Sequence, residues 1–312
     1  MKMAPLVFLV TGSTSGIGAA LVDHILSRGD KVIATGRKVE ERLGHLKSKS
    51  DNIALLELEV TAPIEEIKTK IETAWNIFGH IDVLMNNAGM SAMTTIEDAS
   101  DAYVQNMFNV NLFGPVHLTQ AILPFFRAQG KGCVAFTSSS SSWMALPTMS
   151  HYSMAKAGLS SFAEGLHKEV IGLGIRSVAF DCGGFITNLM QPREGAHASP
   201  PGAEPTDAYK PLLGSVIGMF SNDPMGLMPG SPARAASTMI DVIKGEGVAA
   251  GRPWASRVIL GSDALDSARN RREDELKLLK AWAPVSASTD ERKYTPRDDL
   301  RKFTMITGSE QL

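Results

Sequence analysis

Short apolar runs rich in valine, isoleucine and leucine alternate along most of the chain with longer stretches of helical periodicity. This alternation is typical of repeated strand–helix–strand units, in which right-handed crossovers place helices on both faces of a parallel sheet. Strands covered on both faces carry continuous apolar runs, as the segments LVFLV and KVIAT do. The chain is therefore predicted to form an α/β fold built on one doubly wound parallel sheet of about seven strands.

The apolar runs place the predicted strands at residues 6–10, 31–35, 53–58, 83–86, 134–138, 176–181 and 257–260. The helical periodicity places the predicted helices at residues 16–27, 65–78, 101–127, 153–173, 232–244 and 265–282. We expect these elements to form a single domain over residues 1–282, followed by a polar C-terminal tail over residues 283–312.

The pattern breaks between residues 188 and 231, where seven prolines interrupt a stretch with little periodicity. We therefore expect neither a strand nor a helix in this segment. Long irregular segments inside compact domains are usually lids or mobile loops. A lid that covers a substrate is the favoured interpretation, and a mobile surface loop is the alternative.

Charge and cysteine content restrict the class of protein. With 31 Lys and Arg against 33 Asp and Glu, the chain lacks the excess of positive charge of a general nucleic-acid binder, so a small-molecule partner is expected. Its two cysteines, Cys133 and Cys182, cannot form a disulfide framework and indicate reduced thiols. No apolar stretch reaches bilayer length, and no His, Cys, Asp or Glu cluster has metal-ligand spacing. We expect a cytoplasmic protein without a membrane segment or catalytic metal.

A glycine-rich turn follows the first predicted strand and opens the first predicted helix. Glycines allow the backbone to approach a ligand closely, and a helix N-terminus offers free N–H groups to a pyrophosphate. The turn therefore predicts a dinucleotide site, although glycine-rich turns between strands and helices also occur for purely geometric reasons. The candidate binding residues are Gly12, Thr14, Ser15, Gly16, Ile17 and Gly18.

The end of the second predicted strand bears on the choice of cofactor. An NAD site would carry an acidic residue there, about twenty residues beyond the turn, to accept the ribose hydroxyls. The chain instead has Gly36 and Arg37, and a guanidinium suits a 2′-phosphate. NADP(H) is therefore favoured over NAD(H), with a solvated surface charge beside Lys38 as the alternative for Arg37.

Tyr152 and Lys156 lie four residues apart in a predicted helix and so share one of its faces. An ammonium group beside a phenol favours the phenolate, and a nicotinamide cation would add to that effect. A phenol whose pKa is lowered is a usable acid or base near neutral pH. A tyrosine and a lysine at this spacing are common by chance, so the weight of the pair depends on its context.

The motifs together resemble the classical branch of the short-chain dehydrogenase/reductase family. The segments TGSTSGIG, NNAG and YSMAK, with Asn111 and with Ser139 lying 13 residues before Tyr152, occur in the family's order over residues 6 to about 260. The resemblance implies a Rossmann-type fold and hydride transfer with a nicotinamide cofactor. The C-terminal pattern is similar to that of microbial short-chain oxidoreductases and ketoreductases, with some hydroxysteroid-type features.

The resemblance implies a catalytic role for four residues. Tyr152 would donate a proton to a carbonyl oxygen, and Ser139 would hydrogen-bond that oxygen. Lys156 would bind the nicotinamide ribose and lower the pKa of Tyr152, and Asn111 would hold a water that links Lys156 to solvent.

The family's cofactor contacts fall, besides the glycine turn and Arg37, on Glu59, Val60, Asn87, Ala88, Gly89, Tyr152, Lys156, Phe185, Ile186 and Thr187. The chain departs from the family pattern at three positions. Cys182 stands where a proline is usual and is interpreted as a small packing residue, Glu59 replaces the usual Asp, and Ser15 occupies a position that is often basic in NADP-preferring relatives.

The serine run leaves the hydrogen-bonding serine open. Spacing favours Ser139, but Ser138, Ser140 or Ser141 would take its place if the loop carried a shift of one residue.

These observations favour an NADP(H)-dependent ketoreductase acting on an apolar ketone that is cyclic, polyketide-like or another secondary metabolite. The alternatives are an NAD-linked secondary-alcohol dehydrogenase of hydroxysteroid or retinol type, and a cofactor-sensing regulator without turnover. The resemblance also implies a homodimer or homotetramer formed through the two long helices around Asn111 and Tyr152.

Several apolar residues could line the substrate pocket or simply pack the 188–231 segment against the sheet. They are Leu189, Met190, Leu212, Leu213, Met219, Phe220, Met225, Leu227 and Met228 in the segment, and Trp143, Met144 and Leu146 before Tyr152.

Overall fold

The computed structural model describes residues 5–189, 205–222, 224–297 and 299–300. Seven strands in these residues form the sheet: β1 (Val7–Val10), β2 (Lys31–Gly36), β3 (Ile53–Glu57), β4 (Val83–Asn86), β5 (Gly132–Ser139), β6 (Ile175–Cys182) and β7 (Arg257–Leu260). Every pair of neighbouring strands is parallel, and the order is β3-β2-β1-β4-β5-β6-β7. The predicted α/β fold with a doubly wound, Rossmann-type sheet is confirmed, and each strand lies within two residues of its predicted limits.

The α-helices are α1 (Gly16–Ser27), α2 (Val39–Leu43), α3 (Ile64–Phe78), α4 (Asp101–Phe108), α5 (Gly114–Gln129), α6 (Ser150–Val170), α7 (Lys210–Asn222), α8 (Pro224–Leu227), α9 (Pro232–Lys244) and α10 (Ser262–Ala287).

Two apolar cores cover the two faces of the sheet. On β1, Val7 and Leu9 pack in a cluster that includes residues of α3, α5 and α6, whereas Phe8 and Val10 pack in a second cluster with α1 and α9. All four residues of β1 are buried, because alternate side chains point to opposite faces and both faces are covered. This burial explains the continuous apolar run from which the strand was predicted.

The chain reverses its direction of travel across the sheet at β1. From β1 it proceeds through β2 to β3 on one side, and it then returns to β4 on the other side. In open α/β sheets, ligands bind beyond the carboxyl ends of the strands at such a reversal. The loops after β1, β4 and β5 are therefore the expected walls of a binding site.

The stretch predicted as one helix over residues 101–127 is instead two helices joined by one turn of π-helix, Asn109–Phe113. Pro115 has no N–H to donate to the carbonyl oxygen of Asn111, and the Asn111 side chain itself donates to the Met107 carbonyl oxygen at 3.0 Å. These two features interrupt the regular hydrogen-bond ladder, which explains the wider turn.

The prediction that residues 188–231 contain no helix is wrong, because α7 and α8 lie within this segment. Pro211 is the second residue of α7 and Pro224 is the first residue of α8. A proline in the first helical turn has no hydrogen bond to lose and favours helix initiation, so the number of prolines was misleading. Residues 190–204 and 223 of this segment lie outside the described residues.

The last helix is longer than predicted. α10 begins three residues before the predicted start and continues five residues beyond the predicted end at residue 282. Of its residues only Ala264 and Ala268 are buried.

No helix in the described part of the chain is long and apolar enough to cross a membrane.

Candidate active site

The glycine turn between β1 and α1 is held against the end of β4. Gly12 and Gly16 have positive φ angles of 63° and 55°, which favour glycine. A Cβ on Gly12 would lie 2.8 Å from the Cα of Ala88, so the two loops touch without side chains between them. The Asn87 side chain fixes this contact by donating its amide hydrogens to the carbonyl oxygens of Thr11 and Gly12, at 3.1 and 3.2 Å.

The N-terminus of α1 opens into the same region. Its N-cap residue, Ser15, makes no side-chain cap, and the first turn of α1 carries no acidic residue. The free N–H groups and the positive end of the helix dipole therefore face outward, as an anionic group requires. The turn and helix together fit the pyrophosphate of a dinucleotide.

Two arginines border the far end of the turn. Arg37 follows β2, and its Nε lies 3.4 Å from the Oε2 atom of Glu59, with both side chains partly exposed. Arg42, on α2, donates from Nη1 to the Thr14 hydroxyl at 3.4 Å. Arg42 was missed in the sequence because its approach to the turn depends on α2, which carries too few residues for a periodic signal.

Ser139 and Tyr152 meet at the carboxyl end of β5. Their hydroxyl groups share a hydrogen bond, and the Ser139 Oγ also accepts the N–H of Ser141 at 3.1 Å. Ser138 points away into the interface with α6, where its Oγ lies 2.7 Å from the Oγ of Ser160. The serine beside Tyr152 is therefore Ser139, the one favoured by spacing.

Lys156 lies one turn beyond Tyr152 on the same face of α6, as their spacing predicted. Its Nζ is 5.7 Å from the centroid of the Tyr152 ring and donates to the Thr137 carbonyl oxygen at 2.8 Å. Both side chains belong to buried residues. Ser139, Tyr152 and Lys156 thus form one cluster.

Burial moves the pKa values of the two groups in opposite directions. It lowers the pKa of Lys156 to about 8, since the charged ammonium loses hydration. It raises the pKa of Tyr152 above its usual value, and the hydrogen bond with Ser139 offsets only part of that rise. The expected lowering of the Tyr152 pKa is therefore not found, and burial favours the protonated phenol over the phenolate near neutral pH.

Asn111 lies in the π-helical turn, fully buried. Its amide group donates to the carbonyl oxygens of Met90 and Met107, each at 3.0 Å, and its Oδ1 accepts the Met90 N–H at 3.2 Å. Asn111 and Lys156 approach the same glycine, since a Cβ on Gly89 would lie 3.1 Å from the Asn111 Oδ1 and 3.7 Å from the Lys156 Nζ. Asn111 therefore holds the loop after β4 next to the cluster.

These parts surround one cavity of about 1110 Å³. All of the residues predicted to contact a cofactor line it, except Gly18 and Ile186. A Cβ on Gly18 would collide with the Gly12 carbonyl oxygen, so the absence of a side chain at Gly18 allows the turn to pack closely on α1. Ile186 is exposed. The cavity thus connects the glycine turn with the Ser139, Tyr152 and Lys156 cluster.

The other wall of the cavity is apolar. It includes, among the residues predicted as pocket candidates, Met144, Leu146, Leu189, Met219, Phe220, Leu227 and Met228. Trp143 is not among the lining residues, and its ring lies 5.5 Å from the Arg272 guanidinium. Leu212 and Leu213 do not line the cavity, and Met190 and the side chain of Met225 lie outside the described residues.

Cys182 lines the cavity at the end of β6. Burial raises the pKa of its thiol to about 12, so the reactive thiolate is disfavoured. This environment agrees with its interpretation as a packing residue.

Among the described residues, no group of three or more His, Cys, Asp or Glu is arranged to hold a metal ion.

Comparison with known proteins gives the family. Residues 6–197 match the family model for short chain dehydrogenases. An oxidoreductase of Botryotinia fuckeliana is 28% identical over 285 residues, which cover 91% of this chain and 98% of that protein. The NADPH-dependent 1-acyldihydroxyacetone phosphate reductase of Saccharomyces cerevisiae is 28% identical over 244 residues, 72% of this chain and 82% of that protein.

The fold comparison agrees with the sequence comparison. The crystal structure of a short-chain dehydrogenase from Streptomyces avermitilis superposes with a TM-score of 0.80 and 31% identity, over 93% of this chain and 100% of that chain. The motifs TGSTSGIG, NNAG and YSMAK all lie within the matched residues 6–197. The chain therefore belongs to the classical short-chain dehydrogenases/reductases, oxidoreductases that act on alcohol and carbonyl groups.

Proposed function

We propose that this protein is an NADP(H)-dependent carbonyl reductase that reduces an apolar ketone, cyclic, polyketide-like or another secondary metabolite. The observation that carries the proposal is the cluster of Ser139, Tyr152 and Lys156 on a cavity that has an anion-binding turn at one end and apolar walls at the other. A reduced nicotinamide bound in the cavity supplies the hydride.

The protein's own residues supply the proton and the polarisation. Tyr152 is held as a protonated phenol and so can donate its proton to a carbonyl oxygen within reach. Ser139, already hydrogen-bonded to Tyr152, donates a second hydrogen bond to the same oxygen as negative charge develops there. Lys156 in its ammonium form binds the ribose hydroxyls and restores the proton of Tyr152 after transfer.

The cofactor preference rests on the two arginines. Arg37 and Arg42 both line the cavity near the turn, and Thr14 adds a hydroxyl between them. Two guanidinium groups suit the dianionic 2′-phosphate of NADP(H). The Glu59 carboxylate orients Arg37 through their ion pair and leaves the terminal nitrogens of Arg37 for the phosphate. The yeast relative is NADPH-dependent by name, which supports the same assignment.

The substrate class rests on the opposite wall. Met219, Phe220, Leu227 and Met228 belong to the 188–231 segment, and we propose that this segment is a lid over the substrate. Methionine adapts to irregular apolar shapes, so such a wall suits a bulky apolar ketone better than a small polar one. The domain limits follow the same proposal, with one catalytic domain over residues 1–282 and a tail beyond it.

The Tyr152→Phe variant tests the reaction. We expect turnover to fall by at least about 10²-fold because the general acid is lost, while NADPH affinity changes little. Tyr103→Phe is the matched control, since Tyr103 is a buried tyrosine in the same apolar cluster whose hydroxyl bonds only the Ala92 carbonyl oxygen in the described structure. Near-normal turnover of Tyr152→Phe with bound cofactor would show that the assigned acid is wrong.

Titration of the purified protein with NADPH and NADH tests the cofactor. We expect tighter binding of NADPH, and a loss of about tenfold or more in NADPH affinity in Arg37→Ala, because hydrogen bonds to charged groups are strong. Lys38→Ala is the control, since Lys38 does not line the cavity. Tighter binding of NADH would instead favour the NAD-linked secondary-alcohol dehydrogenase.

We also propose that the protein is a homodimer or homotetramer that associates through α5 and α6. Phe113, directly before α5, and Met154, near the start of α6, have exposed apolar side chains. Light scattering after size-exclusion chromatography tests the assembly, and a monomer at micromolar concentration would contradict it.

A further inference from the structure

The peptide unit of Gly184 joins three separate parts of the chain. Its N–H donates to the Oδ2 atom of Asp263 at 2.7 Å, at the start of α10. Its carbonyl oxygen accepts the N–H of Gly230 at 2.9 Å, at the end of the 188–231 segment. Phe185 also pairs with Gly230 in an isolated parallel bridge. The loop after β6 is therefore held between α10 and the far end of the proposed lid.

The Asp263 carboxylate occupies the space beside two glycines. A Cβ on Gly183 would lie 2.5 Å from each of its oxygens, and a Cβ on Gly261 would collide with Oδ1. The Gly183 N–H donates to the Leu260 carbonyl oxygen at 2.8 Å, which continues the β6–β7 pairing. The first two residues of the loop, Gly183 and Gly184, thus both donate their backbone N–H groups. The Leu260 carbonyl oxygen accepts the first hydrogen bond and the Asp263 side chain accepts the second.

The same carboxylate is only half satisfied. Its Oδ1 is buried and has no hydrogen-bond partner among the described residues. A buried acceptor without a donor costs free energy, although the N-terminal turn of α10 stabilises the negative charge. The other oxygen of the carboxylate, Oδ2, accepts the hydrogen bond from the Gly184 N–H.

The loop that begins at Gly184 reaches the cofactor turn. Phe185 and Thr187 line the cavity, and the Thr187 side chain packs on Gly16, where an added Cβ would lie 3.1 Å from the Thr187 Cβ. Asp263 and Ser267, one turn apart on α10, line the same cavity. A change in the Gly184 peptide would therefore shift the contacts of residues 185–187 and the end of the proposed lid.

We propose that Asp263 is a positioning residue, which sets the orientation of the Gly184 peptide and through it the loop at the nicotinamide end of the cavity. This inference rests on the proposed function only in naming that end of the cavity. It requires the position of the acceptor oxygen rather than the charge of the side chain.

Three variants separate position from charge. Asp263→Asn keeps an acceptor oxygen in place without the charge, Asp263→Glu keeps the charge but moves the oxygen, and Asp263→Ala removes both. Asp266→Ala is the matched control, because Asp266 is an exposed acid on the same helix whose carboxylate bonds only Asn270 in the described structure. We expect the Glu and Ala variants to be impaired and the Asn and control variants to resemble the wild type.

The first measurement is amide hydrogen exchange on the protein without cofactor. We expect the Ala and Glu variants to exchange faster in peptides that cover residues 183–189 and 227–230, with other regions unchanged. Unchanged exchange in both variants would overturn the proposal, as would an equal increase across the whole sheet. This result does not depend on any activity of the protein.

The second measurement compares NADPH with 2′,5′-ADP, a fragment that lacks the nicotinamide half. We expect Asp263→Ala and Asp263→Glu to weaken NADPH binding by about tenfold or more and to leave 2′,5′-ADP binding nearly unchanged. Equal losses for both ligands would overturn the proposal, because Asp263 would then support the whole site. If the wild type binds neither NADPH nor NADH, the proposed function fails, and the exchange experiment still decides the role of Asp263.

Discussion

Burial is the main influence on the protonation states of both Lys156 and Tyr152. With the pKa of Lys156 lowered to about 8 and that of Tyr152 raised, the proton stays on the phenol while the ammonium lies close to its titration point. A protonated phenol is the form that a reductase needs at the start of each turnover. This protonation state suits the proposed reduction of a carbonyl group.

The rate of ketone reduction is predicted to fall above about pH 8. Below that pH Lys156 carries its charge, and above it the charge is lost, because its pKa is lowered to about 8. Lys156→Arg should keep the charge and move this fall to higher pH, even if its turnover is slower. His151 cannot produce the same fall, since burial lowers its pKa toward the acid side. The pH dependence of kcat in the wild type and in Lys156→Arg tests this prediction. A fall at the same pH in both proteins would show that Lys156 is not the titrating group.

At this scale the sequence predicted the residues whose spacing carries the chemistry. The four-residue spacing placed Tyr152 and Lys156 on one face of a helix, and the family resemblance identified this pair and Ser139 as catalytic candidates. Arg42 and Asp263 were not predictable, because each reaches the cavity through packing between elements far apart in the sequence. The pKa of Tyr152 was misjudged for the same reason, since burial is a property of the folded chain.

Among the elements, α6 carries a polar ridge along its buried face. Tyr152, Lys156, Ser160 and Glu164 follow one another at intervals of four residues. Ser160 donates to the Oδ1 of Asp181 on β6 at 2.9 Å, and Arg257 on β7 pairs with Asp181 at 2.6 Å. Arg257 also pairs with Glu164 at 3.0 Å. The ridge therefore fastens α6, and with it Tyr152 and Lys156, to the edge of the sheet.

Removal of Arg257 is predicted to destabilise the protein by about 3 kcal/mol, since Asp181 would be left charged and nearly fully buried. The double variant Arg257→Met with Asp181→Asn should lose less than the sum of the single losses. Arg271→Met is the control, because the Arg271–Glu275 pair on α10 is exposed and should contribute less than about 1 kcal/mol. Urea unfolding measures the wild type and the four variants, and additive losses would show that Arg257 and Asp181 do not interact.

The 188–231 segment meets the loop before α4 through a small set of hydrogen bonds. The Thr206 hydroxyl donates to the Oδ1 of Asp98 at 2.7 Å, and the Tyr209 hydroxyl donates to Glu97 at 2.7 Å. The hydrogen bonds from Thr95 and Thr206 lower the pKa of Asp98 below its usual value, so this carboxylate stays ionised at neutral pH. These contacts fasten residues 206–209 of the segment to residues 97–98 of that loop.

A variant with Thr206→Val and Tyr209→Phe is predicted to raise the KM for an apolar ketone by roughly two- to tenfold, because the closed position of the segment loses its hydrogen bonds. The affinity for NADPH should change little. Ser215→Ala is the control, since the Ser215 hydroxyl bonds the Pro211 carbonyl oxygen within α7. An unchanged KM in the double variant would contradict the role of the segment as a lid.

For the whole molecule, the sequence predicted the sheet and its helices but could not predict the 188–231 segment. A strand buried on both faces declares itself through its apolar run, as β1 and β2 do. Many residues of α7 are exposed, and prolines lie in the first turns of α7 and α8, so neither amphipathic period nor composition marks these helices. Their position depends on contacts with the completed cavity.

Saturating NADPH is predicted to raise the melting temperature, because one ligand would contact the turn after β1, the end of β5 and the loop after β6. At 100 times its Kd a ligand adds about 2.7 kcal/mol to the free energy of unfolding, which corresponds to roughly 5 °C for a domain of this size. NADH at the same concentration should give a smaller shift, and Arg42→Ala should narrow the difference. Equal shifts with the two cofactors in the wild type would contradict the NADP(H) preference.

The two ends of α10 differ in a way that has a practical consequence. Asp263 and Ser267 line the cavity, whereas every residue from Glu273 to Ala287 is exposed. At 1.5 Å per residue, this exposed part extends about 22 Å. A label, a carrier protein or a solid support could be attached along it without approaching the reaction site. The exposed part of α10 is thus a suitable attachment site. An enzyme immobilised through it should turn over as fast as the same enzyme free in solution.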